Sequence, residues 1–215
     1  MKKISILGIS EDTIAIIFDL VSELRTQDNF DIYPNKWFNT VPFLPFKKTS
    51  YTIHSVGTIL PASDIFVFGV SGPKNKKTIY LDFLKSMEIN EERYFSLIHD
   101  SAYVASSSKI SNGVLIEPKV VISSQTQIDF GVSIKRGSLI GHHNLIGAFT
   151  DINPGVVISG KVKIGAGCTI GSGAVLKDNI SIGENTIIGM GSVVTKDIPS
   201  NCVAYGNPCK IMKEF

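Results

Sequence analysis

Two adjacent histidines, His142 and His143, are the residues of this 215-residue chain best suited to acid–base chemistry. An imidazole titrates near neutral pH, so it can take a proton from an attacking nucleophile. Two adjacent cations, Lys135 and Arg136, precede them and suit a carboxylate or a phosphate. For either pair, the alternative is a solvated surface with no chemical role, and the residue types alone leave both alternatives open.

These residues lie inside a repeat of six residues. Ile, Leu or Val returns at every sixth position without a gap, and this fixed period is typical of a β-helix. The series is Val104, Ile110, Ile116, Ile122, Ile128, Ile134, Ile140, Ile146, Ile152, Ile158, Ile164, Ile170, Leu176, Ile182, Ile188 and Val194.

The period predicts a triangular coil in which three units of six residues make one turn of eighteen. Each large residue is expected to point inward at a corner and to stack on its equivalent one coil away, so that a continuous apolar column is buried. A second inward position is expected four residues later, where most residues from Ser108 to Ile198 are small or β-branched. Gly follows the large residue at six corners, where we expect backbone freedom to be needed: 141, 147, 165, 171, 183 and 189.

Composition excludes several classes of protein. The net charge is +2, so charge suggests neither nucleic acid nor an anionic membrane as a partner. The sequence has no run of eighteen apolar residues, so we predict no membrane span. The three cysteines, Cys168, Cys202 and Cys209, show no paired spacing, which fits a reducing cytoplasm. A zinc site would need three histidines on neighbouring coils, and no metal is expected.

Residues 1–92 lack the repeat and alternate between strand and helix patterns, which indicates a small parallel sheet covered by helices. Strands are predicted at Lys3 to Ile9, Asn29 to Tyr33 and Asp64 to Val70, with helices from Ser10 to Leu24 and from Lys76 to Met87. Asn35 opens a proline-rich loop after a strand end, where open α/β sheets tend to hold ligands. We therefore expect an α/β domain over 1–92, a β-helix over 93–205 and a C-terminal cap over 206–215.

The hexads, the small parallel domain before them and the ending Tyr205-Gly-Asn-Pro-Cys-Lys-Ile together resemble a known family. The chain is similar to the left-handed β-helix acetyltransferases of the PglD/NeuD-like group, which act on nucleotide-linked amino sugars or sialic acids in bacterial surface-glycan pathways. The resemblance implies a homotrimer, acetyl-CoA as co-substrate between neighbouring β-helices, and a sugar nucleotide held by the N-terminal domain. The cysteines predict a cytoplasmic location.

The resemblance places His142 at the family's general base, with direct transfer of the acetyl group and no covalent enzyme intermediate. The family carries an acidic residue just before this histidine, where the present chain has Gly141. Either the orienting group comes from elsewhere, with His143 and Asp151 as candidates, or the base is less tuned. His143 is also the rival base, one residue from the matched position. Asp151 matches a second histidine of the family that contacts the thioester region.

On the acceptor side, the resemblance implies that Gly8 and Ser10 hold the sugar nucleotide, and Asn35 is a further candidate from its place after a strand end. Glu11 and Asp12 put negative charge at a helix start where a diphosphate would otherwise sit. Lys135 and Arg136 replace a small polar pair that faces the acceptor in the family. On the cofactor side, six positions match the family: Gly160, Ser172, Met190, Gly206, Pro208 and Lys210.

Three functions are therefore kept open. The first is N-acetylation of a nucleotide-linked amino sugar. The second is O-acetylation of sialic acid or another sugar hydroxyl, which needs the same base and which two cations favour, because sialic acid carries a carboxylate. The third is a trimeric scaffold without catalysis. A zinc hydratase on the same fold ranks below these.

Overall fold

The computed structural model describes residues 3–23, 29–34, 50–62 and 64–215. The chain forms two compact units, Met1–Leu97 and Ile98–Phe215. The predicted site residue Asn35 and most of the proline-rich loop lie outside the described residues. None of the helices in the described ranges is long and apolar enough to span a membrane.

The first unit is a four-stranded parallel sheet with strand order β3-β2-β1-β4 and two helices. Its elements are β1 (Ile4–Leu7), α1 (Glu11–Glu23), β2 (Asn29–Tyr33), β3 (Ser50–Ile53), β4 (Ile65–Phe68), α2 (Pro73–Met87) and a 3-10 turn at Glu91–Arg93. The predicted α/β class is confirmed.

Two details of the first unit differ from the prediction. Strand β3 was not predicted, because it lies at the sheet edge and none of its four residues is buried, so it has no apolar run. Helix α2 begins at Pro73 rather than Lys76. Proline suits the first helical turn, since its missing N–H would have no helical partner there.

Asp31 on β2 is the centre of a polar cluster in the first unit. Its carboxylate accepts hydrogen bonds from the Lys3 ammonium and from His54 Nε2 at 2.9 Å. Partial burial opposes ionisation, but the hydrogen bonds from Lys3 and His54, together with their charges, lower the pKa of Asp31 below its ordinary 3.8. The cluster therefore stabilises the fold fully above pH 3.8, and this contribution is lost as pH falls through the lowered pKa.

We expect Asp31→Asn to lower the free energy of unfolding by about 1–2 kcal/mol at mildly acidic pH, because charge-assisted hydrogen bonds are lost. The difference from wild type should shrink as the pH falls below 3.8. Urea unfolding at several pH values measures this. Asp19→Asn, on the exposed side of α1, is the control and should show no such pH-dependent difference; a difference for Asp31→Asn that stays constant down to the lowest pH would contradict the account.

The second unit is the predicted parallel β-helix. Sixteen strands of two residues each end on the large residue of the hexad, and a further strand, β5 (Leu97–Ile98), lies at the unit boundary. The sixteen are β6 (Tyr103–Val104), β7 (Lys109–Ile110), β8 (Leu115–Ile116), β9 (Val121–Ile122), β10 (Gln127–Ile128), β11 (Ser133–Ile134), β12 (Leu139–Ile140), β13 (Leu145–Ile146), β14 (Asp151–Ile152), β15 (Val157–Ile158), β16 (Lys163–Ile164), β17 (Thr169–Ile170), β18 (Val175–Leu176), β19 (Ser181–Ile182), β20 (Ile187–Ile188) and β21 (Val193–Val194).

Each strand pairs in parallel with the strand one coil away, as Ile134 does with Ile152, so the coil has the predicted eighteen residues. The strands form three faces. Face 1 holds β6, β9, β12, β15, β18 and β21; face 2 holds β7, β10, β13, β16 and β19; face 3 holds β5, β8, β11, β14, β17 and β20. The large residues therefore lie on the faces, within the strands, and not at the corners as predicted.

The predicted second inward position is confirmed. Every residue of that series from Val114 to Ile198 is buried, and only Ser108 at the start is half-exposed. Buried polar members of the series bond to the backbone of the adjacent coil; Thr150 Oγ1, for example, donates to the Gly165 carbonyl at 3.0 Å and accepts from Cys168 N at 3.2 Å. The narrow interior is thus mostly apolar, and its polar side chains join successive coils by hydrogen bonds.

The glycines after the large residues have a different cause from the one predicted. The left-handed backbone conformation occurs two positions later, at residues such as His143 (φ 56°) and Lys161 (φ 59°). At Gly147 and Gly165 the limit is space: a Cβ would lie 2.6 Å from the backbone nitrogen of Ala166 or Glu184 on the next coil. Close approach of successive coils therefore selects glycine there.

The C-terminal segment is a hairpin at the end of face 3. Strand β22 (Cys202–Gly206) pairs in parallel with β20, and β23 (Cys209–Glu214) pairs antiparallel with β22. Pro208 lies in the connection between them. Residues 206–215 thus continue an element that begins at Cys202.

Candidate active site

The histidine pair occupies the corner between faces 1 and 2, in the connection from β12 to β13. Both side chains are exposed. The Nδ1 atoms of His142 and His143 lie 3.0 Å apart, and the two rings are perpendicular, with centroids 5.1 Å apart. One Nδ1 therefore donates a hydrogen bond to the other.

Buried groups fix the backbone that carries this pair. Asn144 is fully buried; its Nδ2 donates to the Gly141 carbonyl at 2.8 Å and its Oδ1 accepts from Val162 N at 2.7 Å. Thr126 Oγ1 donates to the same Gly141 carbonyl at 2.8 Å. Sequence reasoning placed Asn144 among the inward positions without a functional role; its amide in a series of mostly β-branched residues was the available signal.

We expect Asn144→Ala to lower both stability and activity. Removing the Asn144 amide leaves Val162 N without a partner in the interior, which costs about 1–3 kcal/mol of stability. It also removes the hydrogen bond that holds the Gly141 carbonyl, just before the histidines. Thr150→Ala is the matched control, because it removes the same kind of bond between coils at the next corner. Urea unfolding should show a lower free energy of unfolding in both variants, whereas the rate of acetyl transfer should fall only for Asn144→Ala. Equal rates in the two variants would contradict the role of Asn144.

Gly160 provides the surface on which the His142 ring lies. It occupies the same corner position one coil later, and a Cβ on it would be 2.6 Å from both Cε1 and Nε2 of His142. Since Nδ1 bonds to His143, the free nitrogen of His142 is Nε2, and it lies over Gly160. The structure thus brings two predicted site residues, the base and a cofactor position, into contact.

Gly160→Ala is expected to displace the His142 ring, because a Cβ cannot approach the imidazole to 2.6 Å. We expect a roughly tenfold to hundredfold loss of rate, as for other residues that orient a reactive group. The double variant with His142→Ala provides the control: in that background Gly160→Ala should cause little further loss. A full additional loss would show that Gly160 acts independently of the ring.

The two predicted acceptor cations lie at the other edge of face 1, in the connection from β11 to β12. Arg136 donates from its guanidinium to Glu117 Oε2 at 3.0 Å and from its backbone nitrogen to the same atom at 3.2 Å. Glu117 is 1% exposed, so the charge of Arg136 is largely compensated. Lys135 Nζ instead donates to the neutral amide oxygen of Asn153 at 3.0 Å. Lys135 is therefore the cation better able to attract an anionic group.

The predicted cofactor positions divide between the two edges of face 1. Gly160 lies with His142, whereas Ser172 and Met190 stack on successive coils at the same corner as Arg136. Met190 is 81% exposed. The remaining three positions, Gly206, Pro208 and Lys210, lie in the hairpin of β22 and β23. One chain does not bring these groups together.

Asp151, the other candidate for orienting the base, begins β14 on face 3. It is 3% exposed. His143 is the candidate that the structure places in hydrogen-bond contact with His142.

In the first unit, Gly8 and Ser10 follow β1. Gly8 has φ 84° and donates to the Tyr33 carbonyl, and a Cβ on it would lie 2.9 Å from Ile79 Cδ1. Ser10 lines a cleft of about 420 Å³ with Lys74 and Asn75, at the ends of β1 and β4 and the start of α2. This is the switch point of the sheet, where ligands of open α/β folds bind. The first turn of α1 carries Glu11 and Asp12, whereas that of α2 has no acidic residue.

A cleft of about 960 Å³ in the second unit follows face 2 and its corner with face 3, along Gly147, Gly165 and Gly183. It does not include the histidine pair. His142 is exposed at its corner in a single chain, so a binding site built on it needs a further wall.

Cys168 is poorly suited to catalysis. Cys168 is fully buried, its Sγ lies 3.0 Å from the Gly183 carbonyl, and burial raises its pKa to about 11, so it is a poor nucleophile. Within residues 3–23, 29–34, 50–62 and 64–215, no three His, Cys, Asp or Glu side chains are grouped to hold a metal ion.

Comparison with known proteins agrees with this architecture. Residues 161–196 match the family model "Bacterial transferase hexapeptide (six repeats)". No match is found among proteins whose function has been curated.

Solved structures similar to this chain cover nearly its whole length. A variant of perosamine N-acetyltransferase from Caulobacter crescentus, in complex with CoA and GDP-perosamine, is 20% identical over 99% of this chain and 97% of its own, with a TM-score of 0.82. The acetyltransferase domain of PglB from Neisseria gonorrhoeae FA1090, in complex with acetyl coenzyme A, is 22% identical over 98% and 99%, with a TM-score of 0.82. WeeI from Acinetobacter baumannii AYE is 19% identical over 98% and 99%, with a TM-score of 0.79. The chain therefore carries bacterial-transferase hexapeptide repeats and has the fold of the left-handed β-helix sugar acetyltransferases.

Proposed function

We propose that this protein is an acetyl-CoA-dependent N-acetyltransferase of a nucleotide-linked amino sugar, with His142 as general base. The observation that carries the proposal is the orientation of His142, whose Nδ1 bonds to His143 and whose Nε2 lies over Gly160. Two similar structures support it, because they hold CoA with GDP-perosamine or acetyl coenzyme A. The Caulobacter structures also include variants with one histidine replaced by asparagine or alanine.

The reaction needs one proton to pass through Nε2 in two transfers. The amine nitrogen of the sugar attacks the thioester carbonyl carbon and forms the C–N bond, and His142 Nε2 takes the proton that the nitrogen loses. The C–S bond then breaks, and His142 returns the proton to the sulfur, which leaves as the CoA thiol. Backbone N–H groups of the coil are suited to stabilise the oxyanion.

The assembly that fits this site is a homotrimer with face 1 turned to the symmetry axis. The outward residue of every strand on face 1 is apolar, and these residues are Tyr103, Val121, Leu139, Val157, Val175 and Val193. On face 2 the corresponding positions are mostly polar: Lys109, Gln127, Leu145, Lys163 and Ser181. An apolar stripe of this length suits contact with further copies of the chain.

Such a trimer would complete the site. When every copy turns face 1 to the axis, the corner of one copy that carries His142 and Gly160 lies beside the corner of the next that carries Ser172 and Met190. Acetyl-CoA would then run between two β-helices, with its adenine end toward the hairpin that holds Gly206, Pro208 and Lys210. The divided positions of one chain become two walls of a single cleft.

The sugar nucleotide would bind to the first unit, where Ser10 lines the switch-point cleft and Gly8 lies beside Ile79, which lines the same cleft. The acceptor is a bacterial surface-glycan precursor in this proposal, and the reaction takes place in the cytoplasm, to which the three free cysteines are suited.

O-acetylation of sialic acid or another sugar hydroxyl is the second candidate, because Lys135 carries a charge that its neutral partner Asn153 does not compensate. The experiment is a thiol-release assay with acetyl-CoA and a panel of nucleotide amino sugars and sialic acids, followed by mild alkali. An alkali-stable product supports N-acetylation, and an alkali-labile one supports an ester. No thiol release from any acceptor would contradict both candidates.

A further inference from the structure

We propose that His143 is a positioning residue that holds His142 in the tautomer protonated on Nδ1, so that Nε2 is the basic nitrogen. This inference rests on the proposed function for its kinetic consequences, although the tautomer itself can be measured without any activity. The residue before the base, Gly141, has no side chain to orient it. A second imidazole supplies that contact instead.

The distance between the two Nδ1 atoms permits a single proton between them. At 3.0 Å, one nitrogen must carry the hydrogen and the other must present its lone pair. If His142 donates, its Nε2 is free to accept a proton from the acceptor. If His143 donates, His142 is protonated on Nε2 and cannot act as the base.

The charges around the two rings favour donation by His142. Lys161 holds the position of His143 one coil later, and Lys109 lines the same small cleft as His143. Like charges repel, so these two lysines disfavour positive charge on His143.

The residues stacked with His142 carry no charge on the adjacent coils. They are Ser124 on one side and Gly160 on the other. Asp178 lies two coils away and Lys196 three. Positive charge that forms during the reaction is therefore better placed on His142, with neutral His143 as its acceptor.

The test combines nitrogen-15 NMR of the histidine rings with kinetics of three variants. His143→Ala removes the acceptor, His143→Asn keeps a carbonyl acceptor and suits the left-handed backbone (φ 56°), and Gln125→Ala is the control. Gln125 has φ 57° and lies one coil earlier, so alanine has the same backbone cost there.

We expect wild-type His142 to carry its proton on Nδ1 above neutral pH. His143→Ala should move that proton to Nε2 in a large fraction of molecules and lower kcat roughly tenfold to hundredfold, with little change in KM for acetyl-CoA. His143→Asn should restore most of the rate, and Gln125→Ala should behave as wild type.

Wild-type His142 protonated on Nε2 would overturn the inference, whatever the acceptor sugar. So would an unchanged tautomer in His143→Ala. If instead His142→Ala retains full activity, the proposed function fails, while the nitrogen-15 spectra still decide which ring donates.

Discussion

Replacing His142 by alanine is expected to lower kcat for acetyl transfer about 10³-fold, within the range that a positioned general base contributes. In the proposed mechanism Nε2 of His142, which lies over Gly160, is the basic atom, and water is a much weaker base at neutral pH. The affinity for acetyl-CoA should change little, because the proposed binding surface consists largely of main chain and of residues on other coils. Thiol release measures the rate, and calorimetry measures the affinity.

Ser124→Ala is the control for this substitution. Ser124 holds the same corner position one coil before His142, so its replacement changes the surface near the pair without removing the base. It should keep the wild-type rate. A His142→Ala variant that keeps the wild-type rate with the best acceptor would contradict the role of His142 as general base.

The second large effect is expected from a charge on face 1. Leu139→Asp should dissociate the proposed trimer into single chains of 23.3 kDa, because a carboxylate would have to be buried among apolar side chains at the axis. Activity should fall with the trimer, since Gly160 of one copy and Ser172 of the next would no longer share a cleft. Light scattering after size exclusion measures the mass.

Leu145→Asp is a matched control for the mass measurement. Leu145 is the outward residue of the next strand and has nearly the same exposure, 40% against 46% for Leu139, but it lies on face 2. This variant should remain trimeric. A trimer that survives Leu139→Asp, or dissociates equally with Leu145→Asp, would show that face 1 is not the interface.

The sequence predicted the β-helix in detail because one physical constraint repeats along it. A large residue at each sixth position fixes the eighteen-residue coil, so the pairing of Ile134 with Ile152 follows from counting. The same counting places Gly160 against His142. Strand β3 could not be predicted in this way, because an exposed edge strand of four residues has no apolar pattern.

The reasons behind individual residues needed the structure. Glycine suggests backbone freedom, but at Gly147 the cause is an approaching coil, which depends on the spacing between coils and not on the local sequence. The compensation of Arg136 by Glu117 depends on side-chain conformations across a coil, and so does the bond between His142 and His143. The separation of the predicted cofactor positions at two edges of face 1 also became visible only when the strands were assigned to faces.

A crystal structure with CoA bound tests the central claim most directly. We predict the CoA sulfur close to Nε2 of His142, above Gly160, with the rest of the molecule against Ser172 and Met190 of a neighbouring copy. CoA bound within one chain along the glycines of face 2, with its sulfur far from the histidine pair, would contradict the account.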